Sequence, residues 1–102
     1  MTTKKYGTKE LKKDFGGLTF GIALESYRLS AEISQKDFSK KLNISPQSLC
    51  DIEKGRKIPS PGRAAKIAKK IKEPIAYWVQ LALQDSLRKE HLKLKVEIES
   101  AA

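Results

Sequence analysis

Cysteine and histidine each occur once in this 102-residue chain, as Cys50 and His91. A single thiol forms no internal disulfide, and two potential ligands so far apart in sequence make no metal site, so no metal or other cofactor is expected. Long apolar runs are missing too. No stretch approaches the ~20 residues of a membrane span, and the polar opening MTTKKYGTKELKKD lacks the apolar centre of a secretory signal. A cytoplasmic protein with no membrane partner is the expectation. Acidic residues are few beside basic ones, 12 against 21, which gives a formal net charge of +9. An excess of that size attracts polyanions, nucleic acid first, but a lysine-rich solvated surface has the same total, so the positions of the charges have to decide.

What is present suits one small domain. Apolar residues make up 39% and charged residues 32%, too apolar for a disordered chain and too charged for a membrane protein. Residues 1–17 read as a basic arm that closes on Gly16-Gly17 and has room for a short helical turn from Thr8 to Phe15. Residues 18–90 read as the folded domain and residues 91–102 as a tail of different character. From Thr19, the expected N-cap, the positions Phe20, Ala23, Leu24, Tyr27 and Ala31 recur in steps of three and four, which predicts a first helix. Ser34 caps a second, Gln35 to Leu42, with Phe38 and Leu42 on one face. Asn43 then supplies a residue tolerant of left-handed backbone angles, Ser45 a cap oxygen and Pro46 a first helical position that needs no N–H. The third helix runs to Lys54 with Leu49 and Ile52 inward, and Gly55 ends it.

Ser60 and Pro61 open a fourth helix whose apolar side is Ala64, Ala65, Ile67, Ala68 and Ile71. Glu73-Pro74 opens a fifth, in which Ile75, Trp78, Val79, Ala82 and Ser86 or Leu87 follow one stripe. Tyr77, Leu81 and Leu83 spill beyond it, and such surplus apolar surface in a short chain predicts a partner subunit, hence a homodimer. In the tail, Leu92, Leu94, Val96 and Ile98 alternate with Lys93, Lys95 and Glu97, a period of two that predicts a half-buried strand. Its pairing edge stays open among the arm near Tyr6, a second subunit and another protein. The expected fold is therefore all-α, five helices with a short C-terminal β-strand extension.

Two short helices about a tight turn, apolar only on their inner sides, form the pattern of a helix-turn-helix DNA reader. Small Ser39 lies where the second helix approaches the third, which is left to present Ser45, Gln47, Ser48 and Asp51 outward. Glutamine pairs with adenine through two hydrogen bonds, serine is permissive, and aspartate accepts from cytosine. Gln35, Lys36, Ser45, Lys54, Arg56 and Lys57 sit where helix ends and the following loop would meet phosphates. Lys66, Lys69, Lys70 and Lys72 read instead as a solvated face. Cys50, with no neighbouring base, reads as an unreactive thiol, and His91 as a surface residue.

The run SQKDFSKKLNISPQSLCDIEKG resembles the lambda-repressor and Cro family, the XRE-type regulators, and the resemblance extends over residues 18–72. It implies a five-helix DNA-binding domain in which Gln35 touches a backbone phosphate and Pro46, Gln47 and Asp51 read bases. It also implies an ion pair between Arg28 and Glu53 that serves as scaffold. Departures are Asn43 in place of a common glycine, Pro46 without a side-chain hydrogen bond, and an acidic Asp51 on the reading face. The expected function is a sequence-specific regulator of transcription, a repressor, that binds a palindrome of double-stranded DNA as a dimer. An antitoxin remains the alternative, with the basic arm and the alternating tail, Leu92, Leu94, Val96 and Ile98 included, binding a toxin protein by strand addition. No paired carboxylates or Ser/His/Asp arrangement point to an enzyme, and no small-molecule substrate is expected.

Overall fold

The computed structural model describes residues 17–90 and Ile98. Five helices run through them: α1 (Phe20–Ser30), α2 (Gln35–Leu42), α3 (Pro46–Glu53), α4 (Pro61–Lys70) and α5 (Ile75–Lys89). The all-α class read from the sequence is observed. The expected strand, with Leu92, Leu94 and Val96, lies outside the described residues, as does the arm up to Gly16; Ile98 is half-buried and belongs to no helix or strand. Among the described residues no helix is long and apolar enough to cross a membrane.

Local chemistry sets the helix boundaries. Thr19, Ser34, Ser45 and Ser60 stand in extended backbone, and their hydroxyls accept from the N–H groups of Ile22, Asp37, Ser48 and Arg63 at 3.0–3.2 Å. Each such cap satisfies a donor that the first turn leaves without a helical partner and contributes ~1 kcal/mol. The C-termini of α1 to α4 share one solution. Glu32, Asn43, Gly55 and Lys72 adopt φ of 59°, 60°, 82° and 59°. The next residue in each case returns its N–H across the turn: Ile33 to Arg28 O, Ile44 to Ser39 O, Arg56 to Asp51 O and Glu73 to Ala68 O, at 2.8–3.1 Å. This is the Schellman ending, which turns the chain sharply and satisfies otherwise orphaned carbonyls.

The core takes buried apolar residues from every helix and from the turn after α4: Phe20 and Leu24, Phe38 and Leu42, Leu49 and Ile52, Ala64, Ile67, Ala68 and Ile71, then Trp78 and Ala82. Phe20 meets Trp78 edge to face at 5.3 Å, and Tyr27 stacks on Phe38 at 5.9 Å. Gly21 lets α1 lie against the end of α3. A Cβ there would overlap the carbonyl oxygen of Ile52 and stand 2.9 Å from that of Glu53.

The stripe of α5 differs from the one read in the sequence. Ile75 is 42% exposed and Ser86 is exposed, while the inward positions are Trp78, Ala82 and Asp85. The reason lies on α1. The Phe20 N–H has no helical partner and points at α5, where Asp85 Oδ2 accepts it at 2.8 Å. Lys70 is also more than solvated surface: its ammonium donates to Leu42 O, at the end of α2, at 3.0 Å.

Candidate nucleic-acid interface

Helix α3 is held from below and open above. Leu49 and Ile52 are buried against the core, Gln47 is exposed, and Ser48 and Asp51 are half-buried. Ser39, at the close approach of α2, is buried and donates its hydroxyl to Lys36 O at 2.8 Å. The Ser45 hydroxyl is engaged as the cap of α3, and Pro46 occupies the first turn, exposed.

An ion pair anchors the underside. Arg28 and Glu53 are 8% and 4% exposed. Arg28 Nε donates to Glu53 Oε2 at 2.7 Å and Nη2 to Oε1 at 3.2 Å. Arg28 Nη1 also donates to Ile33 O at 3.0 Å, so the guanidinium ties α1 to α3 and to the loop before α2. The Glu53 hydrogen bond raises the Arg28 pKa above its ordinary value, against the opposing effect of burial. Gln35, read as a phosphate contact, donates from Nε2 to Glu53 Oε1 at 2.8 Å. It thereby joins the start of α2 to the ion pair and still retains a second N–H and a carbonyl oxygen.

On the upper face the candidate readers are bonded to one another. Asp51 Oδ1 accepts from Gln47 Nε2 at 3.0 Å and from Arg56 Nε at 3.0 Å. Arg56 Nη2 lies 3.5 Å from Cys50 Sγ. The Arg56 bond, followed by that of Gln47, holds the Asp51 pKa below its ordinary value, and the Arg56 pKa is raised in turn. The carboxylate on the upper face of α3 is thus compensated within the protein. The sequence carried a signal for half of this network, since glutamine and aspartate four apart on a helix are a known stabilising pair. The Arg56 contact depends on the sharp turn at Gly55.

Lys36, Lys54 and Lys57 are exposed around the ends of α2 and α3. Arg56 and Lys57 also line a cleft of about 350 Å³ that Asp85, Arg88 and Lys89 of α5 complete. Asp85 accepts from Arg88 Nη1 at 2.8 Å. Burial pushes the Asp85 pKa above its ordinary value, opposed by the Phe20 N–H and by Arg88. Sequence reasoning missed Asp85, because an aspartate near the end of an amphipathic helix reads as solvated. On the opposite part of α5, Tyr77 is 43% exposed, whereas Leu81 is half-buried against the core. Among the described residues no group of three or more His, Cys, Asp or Glu side chains is placed to hold a metal ion.

A family model described as helix-turn-helix matches residues 24–78, more than half of the chain. Endothelial differentiation-related factor 1 of Homo sapiens is 38% identical over 64 residues, which cover 63% of this chain and 43% of that protein. Its homolog in Gallus gallus matches to the same extent. An uncharacterized HTH-type transcriptional regulator of Methanocaldococcus jannaschii is 46% identical over 46 residues, 45% of this chain and 70% of the relative. The chain thus matches less than half the length of the first two relatives. No solved structure matches significantly.

Proposed function

Because the chain belongs to the XRE-type, lambda-repressor-like helix-turn-helix family, we propose that it binds double-stranded DNA sequence-specifically through α3 and regulates transcription as a repressor. The observation that carries this reading is the two-sided character of α3. Its lower side is fixed by Leu49, Ile52 and the buried Arg28–Glu53 pair, and its upper side presents Gln47 beside Asp51 in an ordered hydrogen-bond arrangement. A rigid helix with polar groups held in register is what base edges in the major groove require. Lys36, Lys54 and Lys57, with Gln35 at the start of α2, serve as phosphate contacts that orient the domain. The name of the archaeal relative, a transcriptional regulator, agrees with this role.

The protein acts as a homodimer on a palindrome, its two α3 helices entering successive major grooves ~34 Å apart. Exposed Ile75 and Tyr77 on α5 support an apolar contact between subunits. The test is selection of bound fragments from the host genome by the full chain, followed by titration at several salt concentrations. Enriched fragments sharing an inverted repeat, bound less tightly as salt rises, are expected. Fragments with no common sequence would refute the proposal.

A further inference from the structure

We propose that Arg56 reads a guanine in the major groove and that Asp51 is the residue that positions it, an assignment that rests on the DNA-binding function proposed above. The evidence is the way the guanidinium is docked. Arg56 follows the Gly55 turn, from which a phosphate-binding arginine would be expected to extend into solvent. Instead its Nε donates to Asp51 Oδ1 at 3.0 Å and its Nη2 lies 3.5 Å from Cys50 Sγ. Both contacts use the side edge of the guanidinium, so that edge faces α3. By the planarity of the group, the end edge formed by Nη1 and the second hydrogen of Nη2 faces away from the helix. The side chain is still 57% exposed. Two parallel donors aimed outward are the fork that matches O6 and N7 of guanine.

Asp51 places Gln47 on the same platform. An ionised carboxylate only accepts, so Gln47 must turn its amide nitrogen toward Asp51, which leaves its carbonyl oxygen and one N–H for an adenine edge. An aspartate acting alone on this face would be repelled by phosphates. Bonded to Arg56 it is neutralised, and the pair presents donors to the DNA. Asp51 therefore orients two readers and does not itself accept from cytosine.

Selection of preferred sites from a random duplex library by the full-length wild type, Asp51→Ala and Arg56→Lys distinguishes the outcomes. Wild type is expected to require a guanine at one position of each half-site, with about 5- to 150-fold discrimination. Arg56→Lys retains the charge but loses the docked fork, and Asp51→Ala retains the arginine but frees it, so both are expected to lose most of that discrimination. Asp51→Ala is also expected to bind random duplex more tightly, because a negative charge is removed. Variants that select the wild-type site with undiminished discrimination would overturn this inference while leaving DNA reading intact. A wild type that selects no common site would overturn both.

Discussion

Replacing Glu53 with alanine breaks the most buried ion pair among the described residues. Glu53 is 4% exposed and accepts from Arg28 Nε, Arg28 Nη2 and Gln35 Nε2. In Glu53→Ala the buried guanidinium keeps only Ile33 O at 3.0 Å and a distant Glu25 carboxylate at 3.9 Å. Removing one partner of a buried pair costs ~3–5 kcal/mol, because the remaining charge stays desolvated without compensation. A small domain has ~5–15 kcal/mol of stability in all, and each kcal/mol shifts Tm by roughly 4–8 °C in a domain of this size. A fall in Tm of roughly 12–40 °C is therefore expected in thermal unfolding followed by circular dichroism. The double variant Arg28→Met/Glu53→Met removes both charges and keeps comparable volume, and is expected to recover at least ~2 kcal/mol relative to the sum of the single changes. At temperatures where Glu53→Ala is folded, DNA affinity per folded molecule is expected to change only through Gln35, which loses the carboxylate that positions it. A loss below ~1 kcal/mol for Glu53→Ala, or a double variant as unstable as the summed singles, would refute the view of the pair as buried scaffold.

Three further perturbations follow from the same geometry. Gly21→Ala forces a methyl group into the Ile52 carbonyl, so α1 and α3 must separate, with an expected loss of ~1–3 kcal/mol in denaturant unfolding. Lys72→Gly relieves a side chain held at φ 59° and is expected to stabilise by roughly 0.5 kcal/mol after the entropy cost of glycine, measured the same way. Asp85 has its folded pKa raised by burial, so its contribution to stability is fully present below the unfolded carboxylate value and is lost as pH rises through the folded one. The Tm of wild type relative to Asp85→Asn is accordingly expected to rise as pH falls from neutrality toward the ordinary carboxylate range, and a difference constant with pH would contradict that sign.

The parts of the fold legible in the sequence were those written in local chemistry. Thr19, Ser34, Ser45 and Ser60 are capping residues by type, and Asn43 and Gly55 tolerate left-handed backbone, so helix limits could be read directly. Glu32 and Lys72 perform the same turn without any such signal, because there the Schellman hydrogen bonds and the packing of the next helix override intrinsic preference. Asp85 and Gly21 were not legible for a related reason: each answers a group on a helix distant in sequence, the Phe20 N–H in one case and the Ile52 carbonyl in the other. At the candidate site, residue types and spacing located the exposed polar face of α3. The division of labour on it came only from the distances, which bring Gln47, Asp51 and Arg56 to one shared oxygen and Gln35 to the buried ion pair.

The most direct test of the reading face is the affinity of Gln47→Ala, beside wild type, for the selected duplex and for random duplex at one salt concentration. Loss of a bidentate base contact is expected to weaken binding to the selected duplex by about 5- to 150-fold and to leave random duplex unaffected. Equal affinity of the two proteins for both duplexes, or an equal loss on both, would contradict base reading by α3.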